Sequence, residues 1–139
     1  MSSGVIPNDD CKPAFDKVRL GKVKYVTYKI DDKAEKTEVC AIGETKAEFK
    51  FEKFLSLLPE TESRYAVLDW DVTTDDGRQF SKLFFISWVP DSCKAKEKML
   101  YASSKQSLRN ALSGVHLDHQ AADMDDVTEE IFTLKALGK

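Results

Sequence analysis

Residues 88–114 read W-V-P-D-S-C-K-A-K-E-K-M-L-Y-A-S-S-K-Q-S-L-R-N-A-L-S-G. The stretch joins a strand end, a proline stop and a long helix with a one-sided basic face. On a helical wheel at about 100° per residue, Lys94, Lys98, Lys105 and Arg109 fall in one narrow sector, with Ala102 beside them. Leu100, Leu108 and Ala111 fall on another sector, the expected core side. Between positions 92 and 112 five basic residues accompany one acid, Glu97, a local charge of +4 by count. The whole chain carries −3, which leaves −7 for the remainder. A basic helix on an acidic protein calls for an acidic partner.

The 139 residues suit one domain with a single core, and 42% hydrophobic with 32% charged residues describes an ordinary globular chain. No apolar run approaches a membrane span, and the Met-Ser-Ser-Gly start lacks the basic and apolar regions of a secretory signal. Cys11, Cys40 and Cys93 are an odd, widely spaced set. They read as reduced thiols of a cytoplasmic protein, with no disulfide framework or zinc site.

Outward from the basic helix, the pattern predicts a mobile tail over residues 1–8 and a helix over 11–20, with Pro13 in its first turn and Gly21 after its end. Strands follow at 23–30 and 38–42, then a helix over 49–58 on which Phe51, Phe54, Leu55 and Leu58 recur at i, i+3, i+4 and i+7. Thr45 and Glu48 have capping-box spacing ahead of it. The strongest strands are 65–72 and 82–88, turned by Asp75-Asp76-Gly77. The run Leu83-Phe84-Phe85-Ile86 is apolar on both faces, so that strand should be central and covered on both sides. A short strand at 115–121 and a closing helix at 126–137, with Val127, Ile131 and Leu134 inward, complete the order α-β-β-α-β-β-α-β-α. Hairpins make antiparallel neighbours, and the last strand, arriving after a helix, pairs in parallel. The fold class is therefore α+β: one mixed five-stranded sheet with helices on both faces.

Nothing in this pattern assembles catalytic groups or a cofactor site. His116 and His119 share a short strand at odd spacing, point to opposite faces and do not chelate one metal. No glycine-rich phosphate loop is present, and Asp125, Asp126, Glu129 and Glu130 lack calcium-loop spacing. The chain reads as a binding protein and not an enzyme. Charge alone suits a solvated helix face; Met99, off the leucine side and next to the basic face, adds the flexible apolar residue of an interface. Specific nucleic-acid binding is disfavoured, because the lysines lack a second basic element and a stacking platform.

The same residues carry a family resemblance. W-x-P-D-S followed by K-x-K-M-x-Y-A-S-S-K-x-x-L-R resembles the actin-binding helix of the actin-depolymerising factor/cofilin family. Leu58-Pro59-Glu60 with Arg64-Tyr65-Ala66 resembles that family's L-P-E-x-x-x-R-Y-A signature. The Met-Ser-Ser-Gly-Val start is similar to its short tail with a regulatory serine. Gly114-Val115 and Gln120-Ala121 resemble its final strand, so the likeness runs over the whole chain as one actin-depolymerising-factor homology domain.

The resemblance implies a monomeric protein of the actin cytoskeleton with no cofactor. It implies binding to actin monomers and filament sides, with ADP-bound actin preferred, promotion of depolymerisation and severing, and inhibition by phosphoinositide headgroups. It places the monomer-binding residues at Ser3, Gly4, Val5, Lys96, Lys98, Met99, Lys105 and Arg109, with Ser3 as the phosphorylation site. Lys96 and Lys98 match the family's basic pair although an ideal wheel sets them about 160° apart, and Asn110 stands where a second basic residue often follows Arg109. Filament binding is assigned to Arg78, Lys82 and Lys135. There the chain departs from the family pattern, with Phe80, Leu134 and Gly138 at positions that often carry charge, so filament binding is expected to be weaker. The alternatives are a regulator that mainly binds and sequesters monomers, and a basic-helix or phosphoinositide-binding module.

Overall fold

The computed structural model describes residues 4–139. Strands β1 (Ile6–Pro7), β2 (Tyr25–Ile30), β3 (Lys36–Ile42), β4 (Arg64–Thr73), β5 (Gln79–Trp88) and β6 (Leu117–Ala121) form one sheet in the order β1-β3-β2-β4-β5-β6. Helices α1 (Cys11–Arg19), α2 (Phe51–Leu55), α3 (Ala95–Ala111) and α4 (Glu129–Ala136) pack around it, with a 3-10 turn at Met124–Asp126 before α4. β2–β3, β2–β4 and β4–β5 pair antiparallel, and β5–β6 pairs in parallel as the crossover requires.

The β4–β5 ladder is the spine, running from Arg64↔Trp88 to Thr73↔Gln79. Its side chains alternate between two cores. Tyr65, Val67, Leu83 and Phe85 face one side with Phe15 and Val18 of α1 and Tyr101 and Leu108 of α3. Ala66, Leu68, Trp70, Phe84, Ile86 and Trp88 face the other with Phe54 of α2 and Phe132 and Ala136 of α4. The apolar run at 83–86 is thus covered on both faces. Burying each such aromatic is worth about 1.5–3 kcal/mol.

The sheet has six strands where the pattern indicated five. The extra strand lies inside the stretch expected to be a mobile tail. Ile6 N–H donates to Glu35 O and Asn8 N–H to Thr37 O, at 3.1 and 2.7 Å, so β1 runs parallel to β3. Pro7 sits between these donors, on an edge strand, where its missing N–H costs nothing. Two residues show no periodicity, which is why the sequence hid this strand.

Helix phases also shifted. The buried residues of α3 are Tyr101, Ser104 and Leu108, followed by Leu112, not the expected trio of Leu100, Leu108 and Ala111. Tyr101 turns inward because its hydroxyl accepts from Ile30 N–H at 2.9 Å, while its ring tilts against Tyr65. α4 begins after Thr128, whose hydroxyl accepts from Ile131 N–H, so Phe132 and Ala136 point inward and Leu134 outward. Val127 is buried as expected, but just ahead of the helix. α2 is shorter than its pattern. Thr45 and Glu48 bond to each other in a separate turn, and Lys50 is the N-cap.

Gly43 fills a role no pattern revealed. A methyl group there would overlap the Tyr25 ring, which is buried against Phe54 and Phe49 with centroids 5.1 and 6.1 Å away. The ring has nowhere to move, so Gly43→Ala should lower unfolding stability by about 1–3 kcal/mol through overpacking. Urea unfolding reads this directly, and an unchanged midpoint would show that the ring yields.

Candidate functional site: the outer face of the long helix

The residues that made residues 88–114 distinctive mostly hold α3 in place. Trp88 Nε1 donates to Pro59 O at 2.6 Å and Ser92 Oγ to Glu60 O at 2.7 Å. The W-x-P-D-S and L-P-E stretches are therefore clasped together at the helix entrance. Glu97, the one acid of the basic helix, accepts from Ser63 N–H at 2.9 Å and from Ser63 Oγ at 3.1 Å. Tyr65 OH donates to Tyr101 O. Lys98 Nζ donates to Asp91 O at 2.9 Å, folding back over the entry loop. These bonds fix the start of α3 against β4 and β5, so its outward residues stand on a rigid element.

The exposed crest of α3 is nearly uncharged. Met99 is 73% exposed, and Ala102, Ser103, Gln106 and Asn110 are exposed beside it. Ser103 Oγ turns back to Met99 O and Leu100 O at 2.9 and 3.2 Å, which leaves this side of the helix smooth. The bases flank the crest. Lys96 lies on the side of the β2–β3 turn, in a cleft of about 300 Å³ shared with Asp31, Asp32 and Glu62. Lys105 and Arg109 lie half-buried on the opposite shoulder, and Arg109 Nε contacts Asp118 Oδ1 of β6 at 3.0 Å. The Lys96/Lys98 pair is thus split across the helix start, as the wheel indicated.

Of the expected tail residues, Ser3 lies outside the described residues. Gly4 is exposed in a left-handed conformation, φ +84°. Val5 is only 2% exposed and belongs to the core with α1 and α3, so its side chain anchors the tail and is not presented to a partner. Next to it Ile6, on a strand that lies against α3, is 57% exposed. Sequence reading missed this apolar neighbour because it was taken for tail.

Arg78, Lys82 and Lys135 come from the β4–β5 hairpin and from α4, away from the α3 crest. Each is engaged internally. Arg78 Nε pairs with Asp76 at 3.1 Å across the turn, and Lys82 Nζ lies 5.7 Å from the Phe80 ring centroid. Lys135 Nζ donates to Asp118 O and to His119 Nδ1, both at 3.0 Å. Leu134, at 40% exposure, is an outward apolar residue of that helix.

The two histidines do point to different partners. His116 Nδ1 accepts from Leu83 N–H at 2.8 Å. His119, on the edge strand β6, is buried at 8% exposure, edge-on to Phe132. With Lys135 donating to Nδ1, its Nε2–H donates to Asp126 O at 2.6 Å, so the ring is the neutral Nε2–H tautomer. Among the described residues no three His, Cys, Asp or Glu side chains gather as for a metal ion. The cysteines are free thiols; burial, then the nearby Asp10, pushes Cys11 up to about 12. No helix among the described residues is long and apolar enough to cross a membrane.

Known proteins share this arrangement. A family model described as cofilin/tropomyosin-type actin-binding protein matches residues 4–136. The chain is 41% identical over 136 residues to actin-depolymerizing factor 9 of Oryza sativa, covering 97% of this chain and 96% of that protein. It is 40% identical over 129 residues to a cofilin of Mycosarcoma maydis, covering 92% and 91%. The chain belongs to the cofilin/ADF family. Solved structures agree. The cofilin from Streptomyces griseoflavus superposes with a TM-score of 0.83 at 37% identity, covering 92% of this chain and 93% of that one. Actin depolymerization factor 2 of Plasmodium berghei gives 0.84 at 32%, covering 99% and 97%.

Within this cofilin/ADF chain the His119–Lys135 contact has a pH consequence. Burial first, and then the Lys135 ammonium, holds His119 below its ordinary 6.5, against the Asp126 contacts that pull it up. A histidine depressed in the fold leaves stability intact above its unfolded value. Stability is lost as pH falls below 6.5, where only the unfolded chain takes up the proton. Melting temperature should therefore drop between pH 6.5 and 5, and His119→Leu should flatten that slope. Equal slopes in the two proteins would show that His119 titrates alike folded and unfolded.

Proposed function

We propose that this chain binds actin monomers through the crest and shoulders of α3 together with Gly4 and Ile6, binds filament sides, and promotes filament depolymerisation and severing. The observation that carries this reading is the rigidly clasped α3, which presents exposed Met99 on a neutral crest between basic shoulders, in a chain of the cofilin/ADF family. An apolar centre with a charged rim is the anatomy of a specific protein interface. No bond chemistry is required. A ligand that binds two filament subunits in a changed arrangement shifts the filament towards that arrangement by its differential affinity. Preference for ADP-actin, competition by phosphoinositide headgroups for the α3 lysines, regulation by a phosphate at Ser3, a monomeric state and residence in the cytoplasm belong to the same proposal.

A second reading, a regulator acting mainly on monomers, is favoured by one observation: Phe80, Leu134 and Gly138 leave the filament positions with fewer charges, and Lys135 is drawn into contacts with Asp118 and His119. Arg78 and Lys82 then remain to meet a filament, whereas the α3 side keeps Lys96, Lys98, Lys105 and Arg109.

Lys96→Ala with Lys98→Ala should weaken monomer binding about fivefold or more, since rim charges contribute up to about 1 kcal/mol each. The melting temperature should fall only slightly, because the one bond lost, from Lys98 to Asp91 O, is exposed. Titration of labelled monomer with the variant checks this, and wild-type affinity would contradict the assignment. Co-sedimentation with filaments, compared with monomer affinity for the unaltered chain, separates the two readings: strong co-sedimentation excludes the monomer-only one.

A further inference from the structure

Strand β6 is an edge strand whose side chains alternate between the two covering layers. In its parallel register with β5, Asp118 sits beside Phe85, on the α3 side, and His119 beside Ile86, on the α4 side. Each reaches a cation of the helix it faces. The Asp118 carboxylate holds Arg109 Nε at 3.0 Å, and His119 Nδ1, with Asp118 O, holds Lys135 Nζ. Arg109 has only 25% of its side chain exposed, while Asp118 has 50%. The guanidinium therefore lies towards β6, off the crest marked by Met99, Gln106 and Asn110. Among the described residues its contact uses Nε, which leaves the terminal nitrogens able to meet another acceptor.

We propose that Asp118 is a positioning residue that holds Arg109 back from the docking face, an internal competitor for the acidic surface that α3 meets. The proposal rests on the actin reading above. A carboxylate of the partner gains the full guanidinium only by displacing or sharing Asp118. Neutralising Asp118 while keeping its shape should therefore strengthen monomer binding, and should do so through Arg109.

Asp118→Asn should raise monomer affinity about twofold to fivefold, the range for one partly exposed ion pair. Removing an acid also helps any acidic partner bind, so the gain is measured again in an Arg109→Gln background, where it should vanish. A second readout needs no actin: the Arg109 Nε–H proton should exchange more slowly with solvent in the unaltered chain than in Asp118→Asn. Equal affinity of Asp118→Asn and the unaltered chain, or a gain that survives in the Arg109→Gln background, overturns the proposal and leaves the actin reading standing. Failure of the unaltered chain to bind actin monomers removes both.

Discussion

The β4–β5 ladder is apolar on both faces, and the remainder of the architecture follows from that constraint. A strand that reads Leu83-Phe84-Phe85-Ile86 leaves no side of the sheet fit for water. Helices must cover both faces, and four α-helices among the described residues do so. Leu83 and Phe85 require α1 and α3; Phe84 and Ile86 require α2 and α4. Once α3 is committed to its face through Tyr101, Ser104 and Leu108, its opposite side is necessarily outward. The proposed binding surface is thus what burial leaves exposed on a helix that cannot rotate.

That helix is held by polar contacts more than by propensity. Its N-cap, Lys94, supplies no side-chain cap bond. The bonds of Glu97 to Ser63, of Trp88 to Pro59 and of Ser92 to Glu60 take up the task. The residues that make the family resemblance specific are therefore of two kinds. Trp88, Ser92, Pro59 and Tyr65 build the support, while Lys96, Met99 and the crest residues stand on it. Position of the second kind depends on integrity of the first, because a small misplacement at a docking surface is costly.

Strands and the two-sided sheet were legible because alternation and unbroken apolar runs are strong local signals. The turn at Gly77 and the helix end near Gly114 were legible from glycine itself, which alone adopts their positive φ without strain. Helix faces were less so. Tyr101 was not among the residues expected inward, because its hydroxyl is used by a backbone N–H of β2, a partner 71 residues away that no local window contains. β1 was invisible because two residues carry no period, and its pairing depends on β3. Within the candidate site, residue identity could be read from sequence but occupancy could not. Arg109, Lys135 and Lys98 looked alike as free cations, and only the fold reveals that Asp118, His119 and Asp91 engage them. Gly43 needed the Tyr25 ring to explain it.

On the proposed function, the α3 crest is the surface which meets actin. Met99 reports on it directly, being a reactive, highly exposed side chain at the crest. Hydroxyl-radical footprinting with and without actin monomer measures its solvent access. Oxidation of Met99 should fall steeply when monomer is added, in step with complex formation. Unchanged oxidation of Met99 in a sample shown to be fully bound would place actin on another face and contradict the claim.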